Sequence, residues 1–117
     1  MKELKRDLLR TKYTKVMVEE EYKYNAPHNF EVRRAEDDAL VCSIHFQEGP
    51  VLECGSNGVC NEDLINMVVE RLECFQKSEF ACRENAIAIT KLEEALLWLR
   101  KRTEARVQRG VEGTHTV

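Results

Sequence analysis

Phe80-Ala81-Cys82-Arg83-Glu84-Asn85-Ala86-Ile87-Ala88-Ile89-Thr90-Lys91-Leu92-Glu93-Glu94-Ala95, continued by Leu96-Leu97-Trp98-Leu99, is the stretch on which the fold turns. Steps of three and four from Asn85 land on Ala88, Leu92, Ala95, Leu99, Arg102 and Arg106, the repeat that aligns side chains on one face of an α-helix. The spacing predicts a helix from near Glu79 to Arg109, stopped by Gly110. About thirty residues would span roughly 45 Å. Ile87, Leu97 and Trp98 form a second stripe, with Ile89 and Leu96 between the two. A helix apolar on more than one side has more apolar surface than one neighbouring helix and a small sheet can cover, so self-association through this helix is expected.

Ahead of it, Gln76-Lys77-Ser78 reads as a turn, preceded by a helix from about Glu62 to Phe75. Leu64, Ile65, Val68, Val69, Leu72 and Phe75 give that helix one buried stripe. Asn61 is the expected N-cap, with Glu62 and Asp63 placed favourably against the helix dipole. Before Gly55-Ser56-Asn57-Gly58 the period shortens. Val16 and Val18 alternate with polar neighbours, as do Phe30 and Val32, and Leu40 to Phe46 is rich in β-branched, aromatic and thiol side chains. Breaks at Asn25-Ala26-Pro27, Glu36-Asp37-Asp38 and Glu48-Gly49-Pro50 suit an antiparallel meander whose last member is Val51-Leu52-Glu53-Cys54. Leu4, Leu8 and Leu9 among basic residues suggest a short helix or loose arm at the start. The chain therefore reads as a single α+β domain, 1–117. An arm (1–12) and a small antiparallel β-meander (13–54) precede a long two-helix hairpin (61–109) and a glycine-punctuated tail (110–117) that is free to fold back over a site.

With 117 residues, 43% hydrophobic and 33% charged, the composition is globular and sized for one core. Met1 to Asp7 alternates charges with leucines and has no apolar signal-peptide region, and no apolar run is long enough to span a bilayer, so a cytoplasmic setting is expected. Five cysteines, Cys42, Cys54, Cys60, Cys74 and Cys82, are odd in number and lack a C-x-x-C pair, which disfavours a disulfide framework and a zinc site. Net charge is −3, yet Arg100, Lys101, Arg102, Arg106 and Arg109 cluster with Glu104 as the sole acid. That suggests a local anion site rather than a general nucleic-acid surface.

Catalytic constellations are not apparent. Cys42 and His45 form the one sequence-close thiol and base, but three residues apart on a strand they point to opposite faces. Gly55 to Val59 has neither dinucleotide-binding spacing nor a Walker lysine. Arg102 and Arg106, four apart on one helical face, can each grip a phosphate bidentately, the plain alternative being a solvated helix end. Asn85 is an amide at the start of a mostly apolar helix, where burial demands a hydrogen-bond partner. Phe75, which otherwise reads as core, lies across the turn from it. An aromatic face and an amide on adjoining helix ends can stack on a nucleobase and read its edge.

The run from Phe80 to Ala95, followed by Leu97-Trp98-Leu99 and Gly110-Val111-Glu112-Gly113-Thr114, resembles the helical hairpin shared by phage anti-CBASS and Thoeris anti-defence nucleotide sponges. The meander ahead of it is similar to the first Thoeris anti-defence family, the likeness covering about Phe30 to the C-terminus. This resemblance implies a phage protein, acting in the cytoplasm of the infected bacterial host, that sequesters a cyclic nucleotide immune signal without cleaving it and needs no cofactor. In that family a TIR-derived cyclic ADP-ribose isomer sits near the junction of sheet and hairpin, and some members hold cyclic dinucleotides or trinucleotides in separate oligomer sites. Phe75 and Asn85 match the family's aromatic and amide for the ADP-ribose ligand, with Arg83 and Thr90 as further carry-overs. Arg102 and Arg106 match its arginines for the cyclic oligonucleotide. The resemblance also implies a homo-oligomer, dimer or hexamer, with neither DNA nor membrane as partner. The competing reading is a small helical interaction module or regulator that binds protein or DNA through the basic helix end; a signal-degrading enzyme ranks third.

Overall fold

The structure, a computed structural model, describes residues 1–117. It comprises two compact units, Met1–Val59 and Cys60–Val117.

The first unit is a four-stranded antiparallel sheet in the order β1 (Lys2–Glu3), β2 (Thr14–Val18), β3 (Asn29–Arg34) and β4 (Leu40–His45). The alternation read from the sequence sets its register. Val18 lies opposite Phe30, itself opposite Ile44, and Val16 opposite Val32, itself opposite Cys42, so one face is apolar. Val18 is 4% exposed, and Phe30 packs edge-on against Phe46 with centroids 5.4 Å apart. The other face is ionic: Lys15 reaches Asp38 at 2.8 Å, and Arg33 bridges Glu31 and Asp38.

Two elements differ from the expectation. The arm is neither helical nor wholly loose, because Lys2 and Glu3 pair with Val18 and Met17 as an edge strand. Val51–Cys54 is not a fourth strand but a single helical turn, α1. Pro50 presets the backbone at its start, its carbonyl accepts from the N–H groups of Glu53 and Cys54, and no neighbouring strand is paired with it. The loop around α1 is held by two amide side chains. Gln47 bonds Gly49, Gly55 and Asn57, and Asn57 bonds both backbone groups of Glu48. Gly58 is required there, since a Cβ would come within 2.5 Å of the Phe46 carbonyl.

His28, 6% exposed, anchors the connection from β2 to β3 through Lys23 O at 2.7 Å. The Glu19 carboxylate accepts from the His28 N–H at 2.9 Å and from both the backbone and side-chain amides of Asn29. These bonds, that from His28 foremost, hold Glu19 below its ordinary pKa of 4.5 despite the opposing effect of burial. A carboxylate whose pKa is lowered on folding contributes stability that is present above its unfolded pKa and lost as pH falls through the folded value. The Glu19 side-chain carboxyl carbon shift is therefore expected to titrate with a midpoint below 4.5. Glu19→Gln should abolish that titration; its persistence in the variant would assign the effect to another group.

The second unit is the hairpin, α2 (Asn61–Gln76) packed on α3 (Arg83–Gln108). The N-cap of α2 is Cys60 rather than Asn61, with Asp63 Oδ2 accepting the Cys60 N–H at 2.8 Å. Burial and the neighbouring carboxylates raise the Cys60 thiol pKa. Helix α3 begins four residues later than expected because Gln76 pairs with both backbone groups of Cys82, Nε2 to its carbonyl at 2.9 Å and Oε1 from its N–H at 3.0 Å. Ser78 Oγ adds a bond to Phe75 O, so residues 77–82 form an ordered connection rather than a first helical turn. Its 26 residues extend about 39 Å.

Val69 is the one buried apolar side chain of the hairpin. The stripe on α2 is narrower than its spacing implied, since Val68 and Phe75 are exposed while Leu64, Ile65 and Leu72 are half-buried. On α3, Asn85, Ala88, Leu92, Ala95, Leu99 and Arg106 are half-buried as spaced, but Arg102 is exposed and Thr103 takes its place. At 100° per residue a step of four from Leu99 keeps closer to the seam than a step of three. No helix is long and apolar enough to cross a membrane.

Candidate functional site

All six residues singled out from the sequence lie on the hairpin, in two groups at opposite ends of α3. At the closed end, Phe75 occupies the last turn of α2 and is 38% exposed. Arg71, one turn earlier, lays its guanidinium 5.3 Å from the centroid of the Phe75 ring, so a cation covers one aromatic face. Arg71 was legible in the sequence as the i−4 neighbour of Phe75 and was not singled out.

Asn85, the third residue of α3, is half-buried, and its side-chain amide makes no hydrogen bond within the chain. An amide has two donors and an acceptor of its own, and leaving them without protein partners in a half-buried place suits a group that meets a ligand. Arg83 and Thr90 are exposed. They stand seven residues apart and therefore nearly superpose on the helical wheel, whereas Asn85 lies roughly 160–140° away on the other side. Thr90 also directs its hydroxyl to Ala86 O at 3.1 Å, one turn back. Arg83 and Thr90 thus share one face of α3 and Asn85 occupies another.

At the open end the basic cluster is mostly engaged. Arg100 pairs with Glu104 at 2.9 Å, Lys101 sits 5.1 Å from the Trp98 ring centroid, and Arg109 bonds the Val117 carbonyl. Arg106 is half-buried and donates from Nη2 to Val111 O and Thr114 O, both at 3.1 Å. Arg102 is exposed and alone of the five has no ion pair, hydrogen bond or ring contact, a free planar fork. The tail does fold back, and what it covers is Arg106. Thr114 and its turn were not singled out; Gly110 and Gly113 were the visible signal, and both adopt positive φ, 73° and 75°.

The thiol and imidazole considered for nucleophilic chemistry do not meet. Cys42 lies opposite Val32 on the apolar face of the sheet, and His45 bonds Asn29 Oδ1 through Nδ1 at 2.6 Å.

Comparison with known sequences places the chain in a family. The sequence model of the family described as "Acb2/Tad1, hairpin domain" matches residues 38–104, a span that holds Phe75, Arg83, Asn85, Thr90 and Arg102 and ends just before Arg106. A protein called "Thoeris anti-defense 1" from Bacillus phage SBSphiJ7 is 51% identical over 140 aligned positions, covering 98% of this chain and 99% of that one. A sheet followed by a two-helix hairpin, the match over more than half the chain and near end-to-end identity at this level lead to one conclusion: this chain belongs to the phage Thoeris anti-defence family built on the Acb2/Tad1 hairpin domain.

Proposed function

We propose that this protein sequesters, without cleaving, a cyclic nucleotide immune signal of the infected bacterium. Its first ligand is a TIR-derived cyclic ADP-ribose isomer, stacked on Phe75 and read by Asn85. Its second is a cyclic dinucleotide or trinucleotide, whose phosphates meet Arg102 and Arg106. The observation that carries the reading is the half-buried residue Asn85, whose amide has no partner within the chain, beyond the turn from an exposed aromatic ring whose other face a guanidinium already covers. That set offers stacking, edge recognition and positive charge to a base linked to phosphates.

Arg83 and Thr90, facing away from Asn85, reach the same kind of ligand only from a second copy of the chain, so the proposed site is shared between subunits. Exposed surface supports such an assembly. The chain exposes 9151 Å², whereas two separate compact bodies of half its 13.6 kDa would together expose about 7,900 Å². Leu97 and Trp98 on α3 are 66% and 61% exposed, a cost in water that burial against a second helix removes. Light scattering at micromolar concentration is expected to give a dimer or hexamer, and Leu97→Glu with Trp98→Glu should lower the mass; a monomeric parent would remove the shared site.

Duplex DNA fits the basic end poorly, because four of its five cations are already engaged within the chain. The deciding experiment incubates the protein with a panel of cyclic nucleotides, removes unbound material, denatures by heat and identifies what is released. Intact cyclic ADP-ribose is the expected product. Release of a linearised or hydrolysed molecule would make the protein an enzyme, and release of nothing would end the ligand reading.

A further inference from the structure

Val111 to Thr114 is a closed turn with one side chain feeding into it. Helix α3 ends with the Gly110 N–H on Val107 O and the Val111 N–H on Arg106 O, a pairing that uses the left-handed backbone of Gly110. The chain then doubles back. Thr114 donates to Val111 O twice, from its backbone N–H at 3.1 Å and from Oγ1 at 2.6 Å, and Oγ1 accepts the Thr116 N–H at 3.3 Å. Val111 O also receives Arg106 Nη2, whose other contact is Thr114 O. The turn thus presents two converging carbonyls, and one nitrogen of Arg106 meets both.

A guanidinium has five N–H donors, and each of its two planar forks, Nη1 with Nη2 and Nε with Nη2, needs Nη2. With Nη2 committed to the tail, Arg106 has no complete fork for a phosphate. What remains are Nε and Nη1, held in one orientation, where a free arginine would sample many rotamers. Arg102, one turn earlier and unpaired, keeps both forks.

We propose that the Val111–Thr114 turn is a positioning element for anion recognition and that Thr114 locks it. The tail aims Arg106 so that Nη1 makes a single, preorganised contact to a phosphate oxygen, while Arg102 supplies the bidentate grip. Thr114 acts through Arg106 and does not touch the ligand. The proposal rests on the assignment of Arg102 and Arg106 to the cyclic oligonucleotide.

Calorimetry with cyclic tri-AMP tests it on the full chain. Thr114→Val keeps the shape and removes the hydroxyl, and is expected to bind about fivefold more weakly, the worth of roughly one net hydrogen bond. Thr114→Ser should bind as the parent does. Both should retain the parent melting temperature and its affinity for cyclic ADP-ribose, which separates positioning from general loss of structure. In an Arg106→Lys background Thr114→Val should have no further effect, because a lysine ammonium lacks the planar fork the turn orients. Parent-like binding by Thr114→Val, or an equal loss with and without Arg106, overturns the proposal. If the parent itself binds no cyclic tri-AMP, the anion assignment fails first, and this is seen before any variant is made.

Discussion

Arg102→Glu is expected to abolish cyclic oligonucleotide binding while leaving cyclic ADP-ribose affinity within about twofold. Arg102 is the exposed, unpaired guanidinium of the basic end, so reversing its charge breaks no contact inside the chain. Removing one partner of a hydrogen-bonded charge pair costs about 2–5 kcal/mol. Placing a carboxylate against a phosphate adds repulsion, and each copy that meets the ligand contributes its own loss. The effect on the other site is small because Arg102 and Asn85 are separated by about 26 Å along α3, roughly three screening lengths at physiological salt. Arg106→Glu is a less clean test, because it also removes the two bonds to Val111 O and Thr114 O and so releases the tail. Calorimetry with both ligands on the same preparation decides the matter. Full oligonucleotide binding by Arg102→Glu would return the basic end to a solvated helix terminus, and loss of both ligands with the oligomer intact would exclude two independent sites.

Phe75→Ala and Asn85→Ala should do the converse. Loss of a stacked base costs about 1–3 kcal/mol, and loss of an amide that pairs with a buried ligand group costs about 1–3 kcal/mol. Each variant is therefore expected to weaken cyclic ADP-ribose binding by roughly one to two orders of magnitude. Neither should harm the fold. Phe75 is 38% exposed and outside the buried stripe of α2. Asn85 makes no hydrogen bond within the chain, and alanine has the higher helix propensity by up to about 0.7 kcal/mol. A melting temperature equal to or above that of the parent, with binding reduced, is thus the signature of a ligand residue. Parent-like affinity in both variants would place the site elsewhere.

Much of this was legible in the residues because local periodicity is physical information. Alternation at Val16, Val18, Phe30 and Val32 dictates which face of the sheet is apolar, and the tertiary register follows it. The three-and-four spacing from Asn85 to Leu99 dictates one face of α3 in the same way. Phe75, Asn85, Arg102 and Arg106 stood out by residue type and spacing. Arg83, Thr90 and the family came instead from the resemblance of the run from Phe80 to Ala95 and the segments that follow it, and relatives related by descent carry such runs whether or not a reader can derive their geometry.

What the tertiary structure decided is where polar groups find partners across sequence distance. Val51-Leu52-Glu53-Cys54 has the composition of a strand, but a strand needs a neighbour with free ladder groups, and Pro50 offered a helical turn instead. Lys2 and Glu3 have no strand-like pattern, yet the open edge of β2 paired with them. The start of α3 was set by Gln76, an amide six residues away from Cys82 that acts as a surrogate peptide group. Asn85 and Arg106 occupied the same seam on paper. One is left without a partner and the other is held by two carbonyls of a tail that only a folded chain brings back. Periodicity is a property of adjacent residues and survives in the linear chain, whereas the satisfaction of a buried or half-buried polar group depends on which distant backbone happens to arrive beside it.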